Sequence, residues 1–325
     1  MKAFLMICIV FIQISCNSNS KNEQTPEITK EIKPKVKALL IHMTHYDPSW
    51  CKDNRKETEA KFDLETALQL VEEMKGVGLN TLIVDIEDGV KYESHPELTR
   101  HYSVEMEELV ALVTACRENG IEFIPKLNFS KSGRNVHDKW LSPHWDLLNF
   151  IPLRNEYFKV AFEVMDELIE KCGPFKYFHI GMDEDHHRSL NQFVTDIIYL
   201  HDYLESKNIK TVVWNDGCYR NRNVIAEVHA DKCMAAAPLL PNDIIHVFWD
   251  YDIAHKGLIK EIKDMGFDVW VAPGNNPENI KNWAEIMKTE GGSGFLLTNW
   301  TKCGVTNRDR LVKQVQEQGK LISQY

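Results

Sequence analysis

Positive charge is in short supply in this chain: 38 Lys and Arg face 48 Asp and Glu, for a formal net charge of −10. Such a balance repels polyanions, so neither nucleic acid nor an anionic membrane surface is an expected partner. No glycine-rich phosphate loop follows the first strand-like run. That run passes instead into His42-Met43-Thr44-His45-Tyr46-Asp47-Pro48, which leaves a Rossmann-type nucleotide site without support. The 8 cysteines include no CxxC pair, which argues against metal ligation by Cys and against a small disulfide framework. Nor is there an apolar run of the roughly 20 residues that a bilayer crossing takes. What the 325 residues do contain is apolar material, 43% of the chain, with aromatic residues at 10%. That suffices for a large core and is far from the composition of a disordered chain.

One short apolar stretch lies at the extreme N-terminus, where Met1-Lys2 precedes residues 3–14 and then Ser15-Cys16. A positive charge, a short apolar segment and a small residue before the cut describe a secretory signal. The ending in Cys resembles bacterial lipoprotein signals, although Gln13 stands where Leu is usual. The resemblance implies cleavage before Cys16, acylation of its thiol and amine, and a chain exported and lipid-anchored to the cell envelope. Residues 17–36, rich in Asn, Ser, Lys, Glu and Pro, read as a solvated tether. With Cys8 removed and Cys16 lipidated, cysteines remain at 51, 116, 172, 218, 233 and 303. Buried thiols and one to three disulfides are both open to them.

From residue 37 to 325, short β-rich apolar runs alternate with longer segments of helical period. The expected strands cover residues 38–43, 81–86, 123–129, 177–182, 211–214, 244–249, 268–272 and 295–300. The expected helices cover 64–77, 104–119, 156–172, 190–207, 254–265, 277–289 and 308–323. Several helical segments stop on Gly or Asn just before the next strand, as at Gly78-Leu79-Asn80 and Asn119-Gly120-Ile121. Repeated βα units imply a parallel sheet, and eight of them at this length fit an α/β fold of the closed (β/α)8 TIM-barrel type. An open doubly wound sheet is the competing architecture. The fifth unit is irregular, because residues 218–243 hold Pro238 and Pro241 and only a weak helical pattern at 224–229.

In such a barrel the chemistry sits where strands end and loops begin. Those ends carry His42 and His45, Asp85 with Glu87 and Asp88, Lys126 with Asn128, and His179 with Asp183 and Glu184. Further round come Trp214 with Asn215 and Asp216, Trp249 with Asp250 and Tyr251, Asn275 with Asn276, and Asn299 with Trp300. Three strands finish on Trp. Indole faces pack on the C–H faces of pyranose rings while Asp, Asn and His bond hydroxyls, so the mixture suits a sugar better than a phosphate or a lipid tail. Asp183 and Glu184 are adjacent carboxylates at a strand terminus, an arrangement that lets one stay protonated while its neighbour is ionised. Glycosidases work with such a pair.

The run His179-Ile180-Gly181-Met182-Asp183-Glu184 resembles glycoside hydrolase family 20, the β-N-acetylhexosaminidases, whose fourth strand ends in His-x-Gly-Gly-Asp-Glu. Met182 replaces the second Gly. The likeness extends through Gly78-Leu79-Asn80 before the second strand, residues 119–125 into the third, and the three Trp endings. It implies a retaining mechanism without metal or organic cofactor, in which the substrate's 2-acetamido carbonyl is the nucleophile. Glu184 would be general acid and then general base, and Asp183 would orient the acetamide. His179 would support the pair, and Trp214, Trp249 and Trp300 would wall the sugar pocket. With His42, His45, Asp85, Asn128, Tyr251 and Asn299, these make up the expected substrate-binding set, for a glycan ending in N-acetylhexosamine and cleaved from its end.

Departures from the family pattern are equally visible. His42 and His45 occupy the region where Arg is frequent, and Pro125-Lys126-Leu127-Asn128 replaces a Pro-Glu-x-Asp pattern. Gly274-Asn275-Asn276 follows the seventh strand in place of the usual Tyr and Asp, with Tyr251 as a substitute, and Lys302 stands where Glu is common. They leave two alternatives: a lipid-anchored glycan-binding protein without turnover, and a glycosidase for a modified hexosamine whose anionic group meets Lys126, Arg220 or Lys302. A hydrolytic metal site has little support, because His42 and His45 do not form a His-x-His pair and the fifth and sixth strands end on Trp.

Overall fold

Parallel neighbours need a crossover, and here each apolar run is followed by a segment that carries the chain back to the same edge. The structure is a computed structural model that describes residues 34–44, 60–130, 140–141, 154–220 and 227–325. The strands are β1 (Val36–His42), β2 (Thr81–Asp85), β3 (Glu122–Lys126), β4 (Tyr177–His179), β5 (Lys210–Asn215), β6 (Ile245–Trp249), β7 (Asp268–Ala272) and β8 (Gly294–Leu297). Each pairs in parallel with the next, and β1 pairs with β8, so the sheet closes into a (β/α)8 TIM barrel. The helices between and after them are α1 (Leu64–Val77), α2 (Met106–Glu118), α3 (Arg154–Cys172), α4 (Leu190–Ser206), α5 (Glu227–Ala236), α6 (Leu258–Asp264), α7 (Pro277–Glu290), α8 (Arg308–Gln314) and α9 (Lys320–Ser323). Among the described residues no helix is long and apolar enough to cross a membrane.

The period of two along each strand sorts side chains into two cores. Ala38, Leu40, Ile83, Ile124, Val212, Trp214, Val247, Trp270 and Leu296 pack together inside the barrel. Leu39, Ile41, Leu82, Val84, Val213, Phe248 and Val269 face outward into the layer that the helices cover. Helix α1 shows how that layer is met. Its Ala67, Leu70, Val71 and Met74, spaced three and four apart, are buried, and Asp63 caps its first turn through the Thr66 N–H at 2.9 Å. Truncating a side chain such as Leu70, which is fully buried, to Ala costs about 2–5 kcal/mol by the usual cavity argument.

Register then positions the site. His42 pairs with Asp85, Asp85 with Lys126, and Lys126 with His179, so four polar residues form one row across β1 to β4. They continue the inward-facing series that begins with Ala38, Ile83 and Ile124. On the β1 to β4 side the barrel's apolar filling therefore ends in a polar row.

Several boundaries differ from the sequence expectation. The third, fourth and eighth strands stop at Lys126, His179 and Leu297, so Asn128, Asp183 and Trp300 sit in loops that leave the ladder. The fifth helix covers Glu227–Ala236, overlapping the weak pattern at 224–229, of which 224–226 lie outside the described residues, and the sixth is confined to Leu258–Asp264. The last helical segment is broken by a π-turn at Val315–Gly319 between α8 and α9. Cys116, Cys172, Cys218, Cys233 and Cys303 are buried free thiols, so no disulfide forms among the described residues. Cys16, Cys51 and His45 lie outside the described residues.

Candidate active site

The loop after β4 is built from residues in the left-handed region. Gly181, Met182 and Glu184 have φ of 71°, 78° and 49°. Only glycine fits at 181, because a Cβ there would lie 2.1 Å from the Asn128 side-chain oxygen. That close approach is used: Asn128 Oδ1 accepts the N–H of Met182 and of Ser130, both at 3.0 Å, and Asn128 Nδ2 donates to Asp183 Oδ1 at 2.7 Å. Asp183 is buried and Glu184 half-buried. Neither is splayed into bulk water.

A third acid meets this pair from the turn after β5. Asp216 follows Trp214 by two residues and is fully buried. Its Oδ2 accepts the Glu184 N–H at 2.8 Å, and its Oδ1 accepts the Trp249 indole N–H at 2.8 Å. Burial, then the Asp183 charge, push the Asp216 carboxyl up to about 8. The sequence reading names Asp216 at the end of the fifth strand without assigning it to the site. Its only signal in the sequence is its place two residues beyond the inward-facing Trp214, in the turn that follows β5.

The polar row forms the floor. Asp85 meets Lys126 Nζ at 2.7 Å and His42 Nδ1 at 3.0 Å. Burial would raise the Asp85 carboxyl, but the charges of Lys126 and His42 hold it below the ordinary carboxylate range. Burial would likewise depress Lys126, yet Asp85, Glu87 and Asp183 hold its ammonium above its ordinary value. His179 is pushed well below its ordinary value by burial and by the Lys126 charge, so it is neutral. Its Nδ1 accepts the Gly181 N–H at 3.0 Å, which assigns the ring proton to Nε2. In this way His179 braces the turn that presents the two acids.

Aromatic rings make the wall. The Trp214 ring lies 4.7 Å from His179, Trp249 lies 5.5 Å from Tyr251, Tyr251 6.3 Å from Trp300, and Trp300 5.2 Å from His42. Tyr251 belongs to the loop after β6 but packs over Gly274 after β7, where a Cβ would come within 2.8 Å of its ring. The Tyr251 hydroxyl has Trp300 and Thr298 as side-chain partners, whereas the Trp214 Nε1 is buried with no hydrogen-bond partner among the described residues. Buried polar atoms of this kind are costly unless a ligand or water satisfies them.

Other expected residues have different work. Asn299 gives its amide to Leu40 O at 3.2 Å and accepts the Thr301 N–H at 3.1 Å, while its carbonyl meets His42 Nε2 at 2.8 Å. It joins β8 to β1. Both ring nitrogens of His42 are thereby engaged. Asn276 caps α7. Of the three cations considered for an anionic substituent, Arg220 is held by Glu261 at 2.7 and 3.1 Å, Lys126 by Asp85, and Lys302 lies 5.6 Å from the Tyr102 ring centroid. Among the described residues, His201, Glu205 and Asp243 bring metal-type ligand atoms within 4.8 Å of one another. They belong to α4 and the loop before β6, not to the strand ends that carry the acids.

The sequence matches no family model and no curated protein. Solved structures do match, over 90% of this chain in each of three cases. They are Dispersin B (TM-score 0.55, 15% identity, 99% of its chain covered), the Flavobacterium johnsoniae chitobiase (0.64, 13%, 48%) and a mutant Streptomyces plicatus β-hexosaminidase in complex with product GlcNAc (0.62, 10%, 63%). The fold is that of the hexosaminidase barrels. This chain spans nearly all of Dispersin B but less than two thirds of the other two. At 10–15% identity the shared property is the barrel and its closure. The fit of this chain's own acids and rings to a sugar rests on the geometry above.

Proposed function

We propose that this protein is a retaining, exo-acting β-N-acetylhexosaminidase that uses the substrate's acetamido group as nucleophile. The observation that carries the reading is the Asp183–Glu184 pair, fixed at the end of β4 by Asn128 and Asp216 in a barrel mouth walled by Trp214, Trp249, Tyr251 and Trp300. The structural likeness to a β-hexosaminidase with bound product GlcNAc supports the same sugar.

In the first step the Glu184 carboxyl gives its proton to the glycosidic oxygen as the C1–O bond breaks, and the acetamido carbonyl oxygen bonds to C1. Asp183, held by Asn128, accepts the acetamide N–H and stabilises the positive charge that spreads over the oxazolinium ring. In the second step Glu184, now a carboxylate, takes a proton from the water that attacks C1, and the ring opens to the hemiacetal with retained configuration. The aromatic wall holds the sugar ring, and the buried Trp214 N–H is a donor available to its oxygens. The chemistry asks for no metal or organic cofactor.

The purified chain should cleave aryl β-N-acetylglucosaminide or galactosaminide, and Glu184→Gln should lower kcat by about a hundredfold or more, the range that general acid–base groups contribute. Full activity in Glu184→Gln excludes Glu184 as the proton donor. Binding of N-acetylhexosamine without turnover of either substrate by the wild-type chain would favour a glycan-binding protein on the same barrel. We also read residues 1–16 as a lipoprotein signal with Cys16 acylated, on the sequence alone; Cys16→Ser should move the protein from the membrane fraction to the soluble one, and an unchanged distribution would dismiss the anchor.

A further inference from the structure

Glu184 holds an L side chain at φ 49°, a conformation the backbone does not favour without an outside partner. The outside partner of its N–H is Asp216 Oδ2, at 2.8 Å. That N–H belongs to the peptide joining Asp183 to Glu184, so the bond fixes the relative orientation of the two acids. The other oxygen of the same carboxyl takes the Trp249 indole N–H, also at 2.8 Å. Trp249 in turn is set between Tyr219, at 4.6 Å, and Tyr251, at 5.5 Å between ring centroids.

Asp216 itself has little room to move. It opens a short 3-10 turn, Asp216–Tyr219, capped by Asn215, whose side chain accepts the Gly217 N–H at 2.9 Å. At Gly217 an added Cβ would come within 2.6 Å of Met234 and 2.9 Å of Phe248, so the turn is pressed against α5 and β6. Cys233 on α5 adds a weak thiol contact at 3.9 Å. Its neighbour Lys232 is turned to Asp185 at 2.8 Å, and the acids facing Asp216 are Asp183 and Glu184.

We propose that Asp216 is a positioning residue, a carboxyl that ties the peptide between Asp183 and Glu184 to the Trp249 ring, so that the proton donor and the surface on which the sugar stacks keep one fixed geometry. The bridge is made by the two hydrogen bonds of the Asp216 carboxyl, and its role in turnover rests on the hexosaminidase reading. An Asp is suited to the task because each of its two carboxyl oxygens keeps a lone pair that can accept an N–H, with or without the proton that burial favours. Asn offers one acceptor and one donor, so Asp216→Asn keeps the volume and sets N–H against N–H on one arm. Trp249→Phe keeps an aromatic ring, though a smaller one, and removes the other arm's donor.

The experiment compares wild type, Glu184→Gln, Asp216→Asn, Trp249→Phe and the Asp216→Asn/Trp249→Phe double variant on one aryl β-N-acetylhexosaminide. Hydrogen exchange of the Trp249 indole N–H, identified by its loss in Trp249→Phe, is followed alongside. Asp216→Asn should lower kcat by about tenfold or more and speed indole exchange by a similar factor, as expected for breaking a buried hydrogen bond. Trp249→Phe should lower kcat in the same direction, and the double variant should fall short of the product of the two single effects, because both cut one bridge. Wild-type kcat and KM in Asp216→Asn, where Glu184→Gln is inactive, overturn the role while leaving the hexosaminidase reading intact; so does a lowered Tm with unchanged kinetics. If Asp216→Asn does not fold, wild-type kinetics in Trp249→Phe overturn it instead. A wild-type chain that neither cleaves nor binds the sugar overturns the hexosaminidase reading, and the role of Asp216 with it.

Discussion

Met182 sets two local energies against each other. Its φ of 78° is one that an L side chain enters at a cost of about 1–2 kcal/mol, which glycine would avoid. Its side chain is also fully buried, and removing a buried Met costs about 2–5 kcal/mol. Packing outweighs backbone strain on these magnitudes, so Met182→Gly should be less stable by about 1–3 kcal/mol. The folded variant should keep wild-type kcat, since the turn that presents Asp183 and Glu184 is one glycine adopts freely. Urea unfolding decides the matter: a variant more stable than wild type would mean that strain dominates.

Between the β4 end and α4 the chain is held by a buried charge network. Arg188 meets Asp185 at 2.5 Å and Asp196 of α4 at 2.6 Å, and Arg154 of α3 also reaches Asp196. The loop that carries Glu184 is thus tied to two helices and, through Lys232, to α5. None of this was legible in the sequence, where Asp185 reads as one more acid in an acidic run. Pairing partners far apart in the chain leave no periodic trace. What periodicity does record was read well: α1 is found at Leu64–Val77 and β7 at Asp268–Ala272, as the sequence predicts. The fifth unit reads only weakly in the sequence because the segment Glu227–Ala236 has no clear apolar stripe. For the site, the motif at residues 179–184 located the acids, but it gave no hint that Asn299 braces backbone or that Asp216 bridges. Those roles depend on which way a loop side chain turns, and local composition does not encode that direction.

Over the whole molecule, buried titratable groups set the pH range of stability. Burial pushes His246 down to about 4; burial, then the His186 charge, push His229 down to about 4; burial and Lys126 hold His179 well below its ordinary value. An unfolded chain protonates histidine near pH 6.5. As pH falls from about 6.5 toward 4 the unfolded state takes up protons that the fold refuses, so stability falls. Asp216 has the opposite sign. With its carboxyl raised to about 8, the fold retains a proton that the unfolded chain has released above about 4, so its contribution is lost as pH rises to about 8. Three histidines outweigh one acid below about pH 6.5, and the acid acts without them above it. Unfolding midpoints in urea should therefore peak near about pH 6.5 and decline on both sides. Midpoints that climb steadily through pH 8 would contradict this balance.

The same closed barrel brings a short motif at the end of β4, a buried acid from the turn after β5 and rings from β5, β6 and the loop after β8 to one mouth. What that assembly is for is tested most directly by comparing two substrates with the same aryl leaving group, one a β-N-acetylglucosaminide and the other a β-glucoside. An enzyme whose substrate supplies the acetamide nucleophile should cleave the first and leave the second essentially untouched, a gap of about a thousandfold or more in kcat/KM. Comparable rates on the two would contradict the account.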